Sequence, residues 1–78
     1  MDWKAQLGRN ILSLRTGKGW SQQSLAGEAE LSLRYLAGVE RGEENPSIET
    51  IISIADALGV DVGELFARRD ADRAQHHN

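Results

Sequence analysis

The sequence predicts an all-helical fold, and three observations carry that expectation. Apolar residues recur at spacings of three and four, as in Leu7, Ile11 and Leu14 and again in Ile48, Ile51, Ile54, Ala55 and Leu58, so each set lines one side of a helix. Residues suited to cap a helix, Ser21, Ser32, Ser47 and Asp61, stand before such runs, and Gly42 and Gly59 stand where a run ends. No stretch alternates polar and apolar residues for the length of a strand, and no repeat or low-complexity linker divides the chain.

Taken in order, the first helix spans about residues 3–17, with Arg9, Asn10 and Arg15 falling away from its apolar side. Gly17 and Gly19 end it, and Trp20 is large enough to plug the core after the turn. Ser21 caps a short second helix over about 22–29, where Leu25, Ala26 and Ala29 face inward. Leu31 and Ser32 repeat the pattern of apolar anchor and cap before a third helix of about 33–41, buried along Leu36 and Val39 and stopped by Gly42. Glu43-Glu44-Asn45-Pro46 has no apolar residue and ends in a step that excludes helix, which makes it a loop. Ser47 caps the fourth helix, about 48–58, and Gly59 fits the left-handed position that closes it. Asp61 with Glu64 forms a capping box that opens a last short helix through Leu65 and Phe66. A domain over residues 1–67 is therefore expected, followed by a polar, disordered tail over 68–78.

A chain of 78 residues supports one small hydrophobic core and leaves little room for a catalytic pocket beside it. It has no cysteine and no cluster of Cys and His with metal-ligand spacing, so self-association is the remaining support for such a core. No catalytic, cofactor or metal site is expected: His76 and His77 sit side by side in the polar tail, and no nucleophile set or Gly-rich phosphate loop accompanies them. The first residues lack the apolar region of a secretory signal, and no run reaches the roughly 18 apolar residues of a membrane span, which points to a soluble cytoplasmic protein with no membrane partner. The net charge of −3 is unevenly placed. Residues 1–42 carry +2, residues 43–67 carry only acids for −6, and the chain from Arg68 carries +1. A polyanion, if bound, meets the N-terminal part; the acidic 43–67 surface suits a protein partner instead.

Residues Gln22 to Arg41 make two short helices joined by a tight turn, the second presenting small and polar residues outward. That unit lays a recognition helix in the major groove of DNA. Leu14-Arg15, Trp20-Ser21-Gln22, Leu25-Ala26, Leu31-Ser32, Val39-Glu40-Arg41-Gly42, Asn45-Pro46-Ser47 and the run from Ile54 to Val60 follow one another in an order and spacing that resembles the Cro/repressor (xenobiotic-response-element) helix-turn-helix family. The resemblance covers about residues 7–66 and implies a compact, lambda-repressor-like bundle of five helices that binds double-stranded DNA.

Carried over position by position, the resemblance implies that Gln22 grips a phosphate at the start of the second helix. Ser32, Leu33, Arg34, Tyr35, Ala37 and Gly38 fall on or beside the base-reading face, and Arg41 matches a phosphate contact. Arg34 is the natural sequence reader, since its fork fits guanine O6 and N7, and a good bidentate pair contributes roughly 1–3 kcal/mol of discrimination. Leu33 is a large apolar side chain on an outer helix start, where a thymine methyl suits it. Tyr35 either donates to a phosphate or base or packs inward on the second helix, and Gly38 either admits a close DNA backbone or is a tolerated weakness. Arg15 and Glu40 match an ion pair that joins the first and third helices beneath the DNA-facing surface, a structural role.

Two departures stand out. Glu30 occupies the turn position usually held by glycine, and Glu43 and Glu44 replace the basic or amide residues that often meet phosphate after the third helix. Weak binding to one half-site is expected, and with it a homodimer on a palindromic operator. Ile52, off the main stripe of the fourth helix, and Val62 and Phe66 on the last helix are the candidate dimer contacts; the alternative is that all three fill the monomer core. Short members of the family resemble phage repressors and the controller proteins of restriction-modification systems, so a sequence-specific transcription regulator of either kind is the expected function. The competing reading is an antitoxin-like module whose acidic surface engages a protein while its DNA binding is autoregulatory.

Overall fold

The computed structural model describes residues 2–68. The tail expected from Arg68 onward, with His76 and His77, lies outside the described residues from position 69. The described chain folds into α1 (Trp3–Gly17), α2 (Gln22–Ala29), α3 (Leu33–Glu40), α4 (Ile48–Leu58) and α5 (Val62–Leu65), with no strand among the described residues. The third helix ends one residue earlier than its pattern suggests, with Arg41 as its cap.

Side-chain caps fix where the helices begin. Ser21, Ser32 and Ser47 each accept from the amide three residues on, at 3.0, 3.0 and 3.1 Å, which satisfies donors that have no partner inside a helix. Asp2 does the same for Lys4 and Ala5 at 3.1 and 3.4 Å. The capping box expected at Asp61 does not form on its side, because the Asp61 carboxylate makes no cap hydrogen bond. In so short a helix the amide of Glu64 already donates to the Asp61 backbone carbonyl at 2.9 Å, which leaves the carboxylate nothing to cap there.

One device closes the first four helices. A residue in left-handed conformation is followed by one whose amide donates back to the carbonyl five residues earlier: Trp20 to Arg15, Leu31 to Ala26, Glu43 to Gly38 and Val60 to Ala55. Three of those residues, Trp20, Leu31 and Val60, pack against the core and so fix the direction in which the chain leaves the helix. The left-handed residue is Gly19, Gly42 or Gly59 in three cases, but after α2 it is Glu30, at φ 60° and ψ 43°. A Cβ in that region costs about 1–2 kcal/mol. Glu30→Gly is therefore expected to stabilise the protein by about 0.5–1 kcal/mol, the strain relieved less the extra backbone freedom glycine gains when unfolded. Urea denaturation checks this through a rise in the midpoint at unchanged slope; a lower midpoint contradicts it.

The core is Leu7 and Ile11 of α1, Leu25, Ala26 and Ala29 of α2, Leu36 and Val39 of α3, Ile51, Ile54, Ala55 and Leu58 of α4, and Leu65 of α5. Two expectations about α-helical faces change. Ile48, grouped with the stripe of α4, is 62% exposed, because the first turn of that helix projects beyond the core that Ile51 and Ile54 enter. Asn10, placed away from the apolar side of α1, is buried. Asn10 Nδ2 donates to the carbonyls of Leu65 and Ala67 at 2.8 and 2.7 Å, and Gln6 Nε2 to those of Phe66 and Ala67 at 3.3 and 2.9 Å. These amides take up the carbonyls that the end of α5 leaves unpaired, so the last short helix is held by α1.

Candidate nucleic-acid interface

The turn at Glu30 sets α3 across the end of α2, and a buried polar network holds the two against α1. Arg15 donates from Nε to Glu40 Oε2 at 2.6 Å and from Nη2 to Glu40 Oε1 at 3.0 Å, a two-pronged pair whose side chains are 11% and 5% exposed. Its remaining arm, Nη1, reaches the Trp20 carbonyl at 3.0 Å. Gln22 Nε2 adds a donor to Glu40 Oε1 at 2.9 Å. Hydrogen bonding to Glu40 raises the Arg15 pKa from its ordinary value against the lowering effect of burial, so the guanidinium stays charged. One carboxylate thus ties α1, α2 and α3 together.

This network changes how Gln22 is available. Its amide nitrogen faces inward to Glu40, while its amide oxygen accepts no hydrogen bond among the described residues. It sits at the N-terminus of α2, where backbone amides and the helix dipole favour an anion. Nearby, Lys18 Nζ lies 5.0 Å from the centre of the Trp20 ring, a contact that keeps a cation beside that helix end.

On α3, Ser32, Leu33 and Arg34 are exposed, with Leu33 at 45%. Ala37 is half-buried. Tyr35 is half-buried too and packs against the core, which favours the inward of its two readings. Gly38 is buried, and the group above it is the side chain of Glu44: a Cβ built on Gly38 would lie 2.9 Å from Glu44 Cγ. Arg41 is exposed and pairs with Glu43 at 3.1 Å, with both side chains more than half in solvent. Such an exposed pair contributes little and breaks readily.

The three candidate dimer residues separate. Val62 and Phe66 are half-buried and pack against the monomer core, and the Phe66 ring stands 6.2 Å from that of Trp3. Ile52 is 43% exposed and shares an α4 face with Ile48, one turn away. Gly8, which the sequence reading did not single out, brings α1 against α3: a Cβ there would lie 2.4 Å from the Glu40 carbonyl oxygen. A glycine inside a helix, at a cost of about 1 kcal/mol, was the available signal.

Elsewhere, a shallow hollow of about 320 Å³ lies between α2 and α4, lined by Glu28, Ala29, Glu30, Ser53, Asp56 and Ala57. It lacks the apolar walls of a small-molecule pocket. Among the described residues no group of acidic or imidazole side chains is placed to hold a metal, and no helix is long and apolar enough to cross a membrane.

An HTH-type transcriptional regulator of uncharacterised role from Sinorhizobium fredii, y4dJ, is 37% identical over 70 residues, covering 90% of this chain and 91% of its own. The crystal structure of the restriction-modification controller protein C.AhdI from Aeromonas hydrophila is 42% identical and superposes with a TM-score of 0.78, over 80% of this chain and 94% of that one. C.Esp1396I bound to a 25-base-pair operator site superposes at 0.74 with 28% identity, over 82% and 84% of the two chains. Residues 11–65 match the helix-turn-helix family. With most of its length inside that match, and with α2, the turn at Glu30 and α3 arranged as described, the chain belongs to the helix-turn-helix family of the Cro/repressor type.

Proposed function

We propose that the protein is a transcription regulator of the cytoplasm that binds duplex DNA sequence-specifically as a homodimer on a palindromic operator. The observation that carries this reading is the two-sided character of α3. Its inner side is fixed by Leu36, Val39 and the Glu40 network, and its outer side offers Leu33 and Arg34 to solvent at the start of a short, rigid helix. An apolar residue and an arginine held there suit the edges of thymine and guanine. In this reading Gln22 and Arg41 meet phosphates, Ser32 and Ala37 border the bases, and Tyr35 and Gly38 lie behind that face. The operator-bound structure of C.Esp1396I supports it, and a phage-repressor-like and a controller-like regulator both fit.

Dimerisation proceeds through α4 and α5, with Ile52 at the centre and Val62 and Phe66 at the edge. What supports this is the exposed pair Ile48 and Ile52, one turn apart on α4. Two subunits related by a two-fold axis set their recognition helices about 34–36 Å apart, one turn of DNA.

Sedimentation of the protein alone and with duplexes from its own upstream region, at two salt concentrations, tests both parts. The expected result is a dimer that binds one pseudo-palindromic duplex and weakens as salt rises. Arg34→Ala is expected to keep binding DNA while losing roughly 1–3 kcal/mol of preference for its operator per half-site. A monomer indifferent to every duplex overturns the proposal.

A further inference from the structure

Gly38 sits within a face of α3 that repeats at Arg34, Gly38 and Arg41, four and then three residues apart. A glycine leaves a gap there, and the gap is filled from outside the helix. Glu44, in the loop that folds back through the Glu43 to Gly38 backbone bond, places its Cγ and Oε2 2.9 and 3.0 Å from where a Gly38 Cβ would be. Among the described residues the Glu44 carboxylate makes no hydrogen bond or ion pair; Arg41 is taken by Glu43 instead.

We propose that Glu44 is a base-reading residue of the α3 surface, accepting a hydrogen bond from the N4 amino group of a cytosine in the major groove. The proposal rests on the reading of α3 as the recognition helix. A carboxylate is acceptor-only, so of the groups in that groove it takes only exocyclic amines. Cytosine N4 has the guanine O6 acceptor on one side only and C5–H on the other, whereas adenine N6 lies between its own N7 and thymine O4, both of which repel the second carboxylate oxygen. Guanine, with O6 and N7, and thymine, with O4, present acceptors and are rejected. Arg34, one turn away on the same face, is selective in the opposite sense, so the two side chains together read a donor and an acceptor pattern.

Enrichment of bound sequences from a randomised duplex pool, at one salt concentration, tests this with the full chain and three variants. The unaltered protein is expected to prefer cytosine at one position per half-site by about tenfold. Glu44→Ala loses that preference at that position alone. Glu44→Gln moves it to adenine, whose N6 and N7 suit an amide. Gly38→Ala also loses it, with Glu44 still present, because the new Cβ displaces the carboxylate. If Glu44→Ala strengthens binding to all duplexes alike and leaves the enriched sequence unchanged, Glu44 is only an electrostatic brake and the proposal is overturned. An unaltered protein that enriches no sequence overturns this proposal and the recognition-helix reading together, while an unchanged profile in Glu44→Ala overturns this one alone.

Discussion

Glu40→Ala is expected to destabilise the protein by about 3–5 kcal/mol, the largest loss we foresee for a single polar substitution. The reason is what it leaves behind. Arg15 is buried, its guanidinium stays charged, and with Glu40 gone it keeps only the Trp20 carbonyl as a partner. Gln22 loses the acceptor of its amide nitrogen at the same time. A domain of this size loses about 4–8 °C of melting temperature per kcal/mol, so thermal melting resolves the effect easily. Two further variants separate the causes. Glu40→Gln keeps the shape and one acceptor oxygen and is expected to cost less than Glu40→Ala. Arg15→Met combined with Glu40→Leu removes both charges and is expected to recover most of the loss, since a buried ion pair is costly to break but often replaceable by apolar residues of similar volume. A Glu40→Ala loss near that of an exposed pair, under about 1 kcal/mol, would show that solvent reaches the site.

Much of the architecture is written in short-range chemistry, which is why the sequence predicts it. The serine caps, the left-handed glycines and the stripes of α1 and α4 each depend on residues within one or two turns of each other. The strained turn is legible for the same reason: Glu30 stands where its helix must end, and φ is indeed positive there. What is not legible depends on partners far along the chain. Asn10 and Gln6 look like surface amides until the carbonyls of residues 65 to 67 close over them, 55 to 61 positions away. Ile48 has the spacing of a core residue, but periodicity gives an angle around α4 and not how far the core extends along it. The site divides in the same way. Resemblance places Gln22, Leu33, Arg34 and Arg41 on the α2 and α3 surface by position in the chain, but no local pattern shows that Gln22 also holds Glu40 or that Glu44 covers Gly38.

The second large effect is expected at Gly8. By helix propensity alone, Gly8→Ala stabilises α1 by roughly 1 kcal/mol. Packing opposes that gain. The added Cβ would lie 2.4 Å from the carbonyl oxygen of Glu40 and 2.7 Å from that of Val39, and both are backbone atoms that cannot rotate away. A second point of contact limits any tilt of the helices: at Gly42, just past the end of α3, a Cβ would already lie 3.1 Å from Ala5 Cα of α1. The helices must therefore separate, which costs about 1–3 kcal/mol for ordinary overpacking and more where backbone meets backbone. A net destabilisation of about 2 kcal/mol is the expected outcome, read as a lower urea midpoint. Separation at Gly8 also lengthens the Arg15 to Glu40 hydrogen bonds, since Glu40 supplies both the clashing carbonyl and the bridging carboxylate. Gly8→Ala and Glu40→Ala are thus expected to be non-additive, the double variant losing less than the sum of the two. If Gly8→Ala instead melts at or above the unaltered protein, α3 is free to shift against α1, and the Glu40 network does not seat it rigidly.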